Sequence, residues 1–335
     1  MALSERIKAT TRDGLALVCD TVLTSNVLAK ELLSKPKMWR GAKYIQPVRV
    51  FANTNTTSFR GMDLLPTTQT ETTRNMEFEV KGVANNVGLS QQEIDLNASD
   101  KSINDLVKFK LEEAALDMAE SIGNMFYGDG TGNGGKDLNG LGNIVDDGTT
   151  AATIGGLSRA TFPTLRSTVT ATGGTLTLNQ MVTMFNTISD GSLQPNMIFT
   201  NKVVNALYEK IAQTLNQYVS LPAGSGKYSA GATALTFKGI PVLADAKATA
   251  QTMFFLNTKF IDWVMLKSTE YEPVNYTISS MDGSPDESVK GLGFASSGWM
   301  KSYNQYAANL FIVLQGELVP KDPGRQGKLT GITTA

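Results

Sequence analysis

From position 102 to 127 the apolar residues Ile103, Leu106, Val107, Leu111, Ala114, Ala115, Met118, Ile122, Met125 and Phe126 recur at i, i+3, i+4 and i+7. That is the period of a helix with one buried face. Ser102, three residues before Asp105, reads as the start of a capping box, because a serine oxygen can accept an otherwise unpaired N–H. Lys108 and Glu112 fall four apart on the wet side. Gly128 is expected to close the helix in the left-handed conformation, which glycine enters without a Cβ penalty. At the usual rise such a helix runs roughly 38 Å, a spine along which sheets can be laid.

Upstream, a helix is predicted over about 13–35, with Leu15, Val18, Val22, Val27, Leu28 and Leu32 on one face and Pro36 as its stop. Either it packs on the chain's own core or it is an arm lying on a neighbouring subunit. Residues 46–90 read as a long hairpin. One strand is 47–51, and the other is 76–81, where apolar and charged residues alternate. The connection far exceeds the usual hairpin loop and is rich in threonine. Phe59, Met62, Leu64 and Leu65 lie in it, where a free loop would wet them. Two readings stand: burial of this tip against another molecule, or a floppy loop with scattered apolar residues.

Downstream the elements alternate. A short strand is predicted over 164–169, a helix over 178–188 and a buried strand over 197–200. A helix capped by Asn201 follows, with Val203, Leu207, Ile211 and Leu215 on its face. A glycine- and serine-rich loop over 222–233 leads to a strand–turn–strand at 235–243 and a buried strand at 253–256. This alternation predicts an α/β domain. From Phe260 the pattern is mainly β, with strands at 261–266, 274–278 and 306–319. The segment 281–287 is an acidic turn, read as a metal site or as a solvated loop. The polar stretch from Pro320 to Ala335 reads as an extended tail.

Composition narrows the chemistry. The chain has 335 residues, a net charge of −1, one cysteine (Cys19) and no histidine. Histidine-based triads and metal sites are therefore excluded, as are thiolate clusters and a disulfide framework. Near-zero charge gives no basic field for nucleic-acid readout, and no apolar run approaches the length of a membrane span. Gly130-Thr131-Gly132-Asn133-Gly134-Gly135 satisfies G-x-G-x-x-G, but a phosphate cradle needs a strand before it and a helix after it. Here a helix precedes and a loop follows, so the run is read as a tight turn. No cofactor is expected.

A long amphipathic helix running into Tyr127-Gly-Asp-Gly-Thr-Gly and then Gly140-Leu141 resembles the major capsid proteins of tailed phages with the Hong Kong 97 fold. Lys238-Gly239-Ile240-Pro241-Val242, and the strands at Phe254-Phe255-Leu256 and Phe260-Ile261, fall in the matching order. The resemblance implies a mixed α+β chain divided into an N-terminal arm (1–45), an E-loop hairpin (46–92), a P-domain with the spine helix 102–127 (93–172), an α/β A-domain (173–256), and returning P-domain strands with a tail (257–335). Departures are Asn257-Thr258 where relatives often carry Gly-Asp, and the absence of lysine from 53 to 75, which removes the E-loop cross-linking lysine. Only about 12 residues precede the expected first helix, which implies a separate scaffold or none.

The resemblance further implies a structural protein without catalytic activity, assembling with itself into hexamers and pentamers of an icosahedral head. Implied partners are a portal, a separate scaffolding protein, optionally a decoration protein, and packaged double-stranded DNA contacted non-specifically. No membrane is implied. The place would be the virion capsid, with the host cytoplasm during assembly. The implied intersubunit residues are Phe59, Arg60, Met62, Leu64 and Leu65 at the E-loop tip. An encapsulin-type compartment shell is the alternative within the fold, and an enzyme built on the glycine-rich loop the alternative outside it.

Overall fold

A computed structural model describes residues 3–33, 36–51, 56–68, 71–96, 100–214, 235–266, 272–275 and 290–333. The chain opens with helices α1 (Leu3–Ser25) and α2 (Val27–Leu33), then strands β1 (Lys37–Trp39), β2 (Lys43–Arg49), β3 (Thr73–Glu79) and β4 (Lys81–Ser90). Helix α3 (Gln91–Leu96) leads to α4 (Asp100–Tyr127), a distorted turn α5 (Gly132–Gly135) and α6 (Leu141–Ile144). The small hairpin β5 (Thr153–Ile154) and β6 (Leu157–Ser158) precedes β7 (Thr168–Gly174), α7 (Leu178–Ile188), β8 (Met197–Thr200) and α8 (Lys202–Thr214). Strands β9 (Leu235–Phe237), β10 (Ile240–Ala244), β11 (Met253–Leu256), β12 (Ile261–Leu266) and β13 (Glu272–Asn275) follow. The chain ends in β14 (Lys290–Lys301), β15 (Ala307–Pro320) and β16 (Gly327–Ile332).

Two sheets share the long helix. The first runs β1-β12-β15-β14-β13, with β4 also paired to β15. The buried stripe of α4, Ile103 through Phe126, packs between α1 and α2 on one side (Val18, Cys19, Val22, Leu28) and Val87, Leu89, Trp263, Leu310, Ile312 and Leu314 of this sheet on the other. The second sheet runs β7-β16-β11-β8-β10-β9. Its central strands β8, β10 and β11 are buried on both faces because both are covered, whereas the edge strand β7 is half-buried to exposed. Ile198, Val242, Met253 and Phe255 meet α7 and α8, while Met197, Phe199, Leu243, Phe254 and Leu256 join the core around α4. Of the two readings of the N-terminal helix, the structure shows packing on the chain's own core.

Several expectations are corrected. The first helix starts at Leu3, not near 13, and breaks at Asn26, whose buried amide donates to the Val22 carbonyl at 3.3 Å and the Ala119 carbonyl at 2.9 Å. The long helix begins at Asp100, so Ser102 lies inside its first turn and is not the cap. Gly128 ends that helix without turning left-handed; Gly130 does so instead, at φ 76°. The strand expected at 164–169 is a short 3-10 turn followed by β7. On α8 Leu207 and Ile211 pack half-buried on the core as expected, but the fully buried residues are Val204, Tyr208 and Ala212, and Val203 is exposed. Strands β4 and β14 were not anticipated. The supposed tail is β16, inserted between β7 and β11. The 222–233 loop, Leu215, the end of the 274–278 strand and the acidic 281–287 turn lie outside the described residues.

The glycine motif after α4 works by close approach. A Cβ at Gly140 would stand 2.3 Å from the Met125 carbonyl oxygen and 2.6 Å from that of Gly128, and the Gly142 N–H donates to Gly128 O at 2.9 Å. The loop thus returns to lie on the open carbonyls of the helix end, groups that need partners. A Gly140→Ala change is expected to lower subunit stability by about 3 kcal/mol through overpacking. Gly174→Ala, where a Cβ meets nothing within 4 Å, is expected to stay within about 0.5 kcal/mol. Thermal unfolding of the two variants checks this, and equal melting would refute the close-approach role.

Candidate assembly surface

The long hairpin is anchored at its base and bare at its tip. Strands β2 and β3 pair antiparallel from Lys43↔Glu79 to Arg49↔Thr73. Their alternation places Val48, Met76 and Phe78 on one side, buried with Ile154, Leu165, Val264 and Val319. Val264 points away from its neighbours Trp263 and Met265, which face the α4 core. The hairpin therefore stands on the sheet face opposite α4. Edge-to-face ring pairs, Trp39–Tyr44 at 5.2 Å and Phe51–Phe162 at 5.5 Å, clamp the base. The Glu77 N–H donates to Gly155 O at 2.9 Å, and the Thr164 hydroxyl donates to Val50 O at 3.1 Å.

Beyond this clamp every described residue from 56 to 68 is exposed. Met62 and Leu64 are 102% and 99% exposed, Phe59 65% and Leu65 55%. The turn is set by Gly61 at φ 62° and by the Arg60 N–H donating to the Asp63 carboxylate at 2.8 Å. The five tip residues named from the sequence thus lie on one exposed loop, and none of them joins a core cluster of its own chain. Their grouping is the largest concentration of exposed apolar side chains among the described residues.

The glycine-rich loop is a structural plug. The Asp129 carboxylate accepts the Thr131 N–H at 3.0 Å and hydroxyl at 2.7 Å, bonds that hold it below the usual carboxylate range. Lys81 donates to the carbonyls of Gly130 at 3.3 Å and Asp137 at 2.6 Å. Beneath it, buried Glu317 accepts N–H bonds from Asn139 at 2.6 Å and Leu318 at 3.2 Å. Asn133, Gly134 and Gly135 are left-handed, so the loop's N–H groups do not line up on a helix N-terminus as a phosphate cradle requires. Among the described residues no group of three or more acidic or sulfur side chains gathers as a metal site.

Sequence reasoning missed a second buried polar centre. Arg159 is fully buried and donates to four carbonyls: Asn143 at 2.6 Å, Ile144 at 3.3 Å, Ala151 at 2.7 Å and Leu165 at 3.1 Å. Nearby Asp146 accepts N–H bonds from Gly148, Thr150 and Ala151, and the Lys328 ammonium of β16 at 3.3 Å. Burial works against this carboxylate, yet the N–H bonds and Lys328 hold its pKa below the ordinary value. The centre ties residues 143–166 to β16. No periodic pattern announces it: most of its partners are backbone groups of the same irregular segment, and only Lys328 comes from far along the chain.

The chain matches the family model described as SU10 major capsid protein over residues 67–282. No curated protein sequence matches it. Among solved structures it is similar to the cyanophage A-1(L) capsid asymmetric unit, with TM-score 0.68, 17% identity, and 92% of this chain and 93% of that one covered. It is also similar to the capsid of an empty GTA particle, with TM-score 0.56, 11% identity and coverage of 92% and 90%. The encapsulin SrpI of Synechococcus elongatus PCC 7942 follows at TM-score 0.55, 11% identity and coverage of 91% and 88%.

Burial pushes the Glu317 carboxyl from 4.5 up to about 7, against the opposing pull of the Asn139 N–H and Lys81. The folded chain then keeps a proton that the unfolded chain has lost. Stability from this group is full below the unfolded value and is lost as pH rises through the folded value, a difference of about 3 kcal/mol. Glu317→Gln retains an acceptor for Asn139 and is expected to flatten this dependence. It should melt like the wild type near about pH 4 and above it near about pH 8. Parallel melting profiles for the two proteins would show that Glu317 does not titrate in this range.

Proposed function

The chain belongs to the SU10 major capsid protein family, and on that premise we propose that its exposed hairpin tip is the contact that joins one subunit to the next in a phage head. The protein is a structural component of the capsid shell, with the Hong Kong 97-type fold. The observation that carries the tip reading is a rigidly clamped hairpin base bearing a tip whose apolar residues have no core of their own. An isolated subunit gains nothing from wetting Phe59, Met62, Leu64 and Leu65, whereas burying each against a neighbour contributes roughly 1.5–3 kcal/mol.

In this reading subunits form hexamers and pentamers of an icosahedral shell, in which modest contacts gain strength by repetition. The N-terminal segment 1–45, whose helices pack on the chain's own core, takes the place of the arm, and 46–92 act as the E-loop. The P-domain comprises 93–172 and the strands after 257. The α/β unit 173–256 is the A-domain, to which we now add β16 because it pairs within that sheet. The shell would enclose double-stranded DNA, touched non-specifically by a near-neutral wall. It would use a portal and a separate scaffolding protein, accept a decoration protein, and assemble in the host cytoplasm. The subunit would carry no catalytic activity and need no cofactor. The likeness to an encapsulin supports a compartment shell as the second reading; the family match favours the phage head.

The test is the double change Leu64→Ser with Leu65→Ser. The isolated subunit is expected to keep its circular dichroism and melting, because the tip contributes nothing to its core. Particles seen by negative-stain microscopy are expected to fall sharply in number, since the loss recurs at each copy of the contact. Unfolding of the subunit together with normal particle assembly would place the tip inside the subunit core and refute the proposal.

A further inference from the structure

The first sheet has an unprotected edge. Strand β4 pairs with β15 in an unbroken register from Lys81↔Gly316 to Ser90↔Ala307. The Gln91 N–H donates to Tyr306 O at 2.9 Å, which makes that opposed pair a hydrogen-bonded one. Alternation then makes the odd-numbered residues of β4 the hydrogen-bonded partners of β15. The N–H and C=O groups of Gly82, Ala84, Asn86 and Gly88 point to the free edge, and none of the described residues bonds them. All four residues are exposed and none carries a bulky side chain. The segment carries no proline, bulge or mid-strand charge, the usual devices that keep an edge from pairing.

A groove of about 370 Å³ runs along this edge between β4 and α4, lined among others by Ala84, Asn85, Asp117, Glu120 and Ser121. Its wall is acidic. Glu120 is held by Lys247 at 2.6 Å, whereas Asp117 has no ion pair among the described residues. Phe311 and Val313, opposite Asn86 and Ala84, are half-buried on the other face of the sheet, away from α4.

The hairpin tip has the complementary features. Residues 56–60, Thr-Thr-Ser-Phe-Arg, lie outside any helix or ladder. Threonine and phenylalanine favour strands. The Arg60 side chain has no ion pair among the described residues, and the hairpin stands on the sheet face that carries Val264, away from α4. Resting on the proposed role of the tip, we infer that its receptor is the β4 edge of a second copy of this chain. Residues 56–60 add as an extra antiparallel or parallel strand along residues 82–88. Arg60 meets Asp117, and Leu64 and Leu65 cover the half-exposed Phe311 and Val313. Backbone bonds along the edge supply the affinity, and the charge pair selects the register.

The experiment compares particle assembly of four variants of the full chain, each checked for folding by circular dichroism. Arg60→Asp and Asp117→Arg are each expected to lower particle yield by about tenfold or more, and the double variant to recover most of it. Ala84→Pro removes an N–H aimed at the free edge without touching the β15 ladder, and is expected to block assembly of a folded subunit. If the leucine-to-serine tip variant loses its particles while these variants assemble as wild type, the tip docks elsewhere; the inference falls and the proposed function stands. If the tip variant assembles normally, both fall. Should Ala84→Pro fail to fold, the charge swap decides alone: rescue supports the docking and additive losses overturn it.

Discussion

A buried carboxylate, Asp245, sits where the N-terminal helices, the spine and the second sheet converge, and the arrangement of the whole chain depends on its being satisfied there. It is 2% exposed. The Tyr127 hydroxyl donates to it at 3.0 Å, the Leu28 N–H of α2 at 3.5 Å and the Lys247 N–H at 2.9 Å. A charge removed from water needs such donors, because each loss leaves it uncompensated. Burial and the adjacent carboxylate push the Tyr127 phenol well above its ordinary pKa, so it remains a donor. The last turn of α4 then divides its two aromatic residues: Phe126 meets Trp263 of the first sheet at 5.8 Å, and Tyr127 meets Phe254 of the second at 5.9 Å. One helical turn fixes both sheets.

That rigidity gives the exposed features their meaning. A subunit of a shell has to present the same surfaces in the same places many times over, since small angular errors accumulate around a closed assembly. The clamped hairpin base and the plugged glycine loop hold those surfaces still. Among the described residues, the tip and the β4 edge are two parts with unused bonding capacity, apolar in one case and backbone in the other.

Runs that carry their own explanation were legible in the sequence. Met253-Phe-Phe-Leu is apolar throughout and Met197-Ile-Phe-Thr up to Thr200, and the structure buries both faces of each. The spine was legible from its period, and the tip from apolar residues with no period at all. What escaped needed distant partners. Strand β4 hides behind its glycines and asparagines; Asn85 occupies an inward position because its amide donates to Ala114 O of α4 at 3.0 Å. Strand β16 looked like a polar tail because Gln326 and Lys328 are polar. Gln326 is buried by exchanging two hydrogen bonds with the Asn257 backbone, and Lys328 by reaching Asp146. The Asn26 break was equally opaque, since only the facing Ala119 carbonyl explains it.

The position of β16 has a consequence for synthesis on the ribosome. Strand β7 has β16 as its ladder partner, in parallel register from Thr168↔Gly327, and β16 in turn joins it to β11. A nascent chain that has already extruded the spine, the hairpin and both helices of the second unit still has β7 unpaired and one side of β11 open. The second sheet closes only when residues 327–332 emerge, so folding of that unit waits for a strand made about 150 residues after β7.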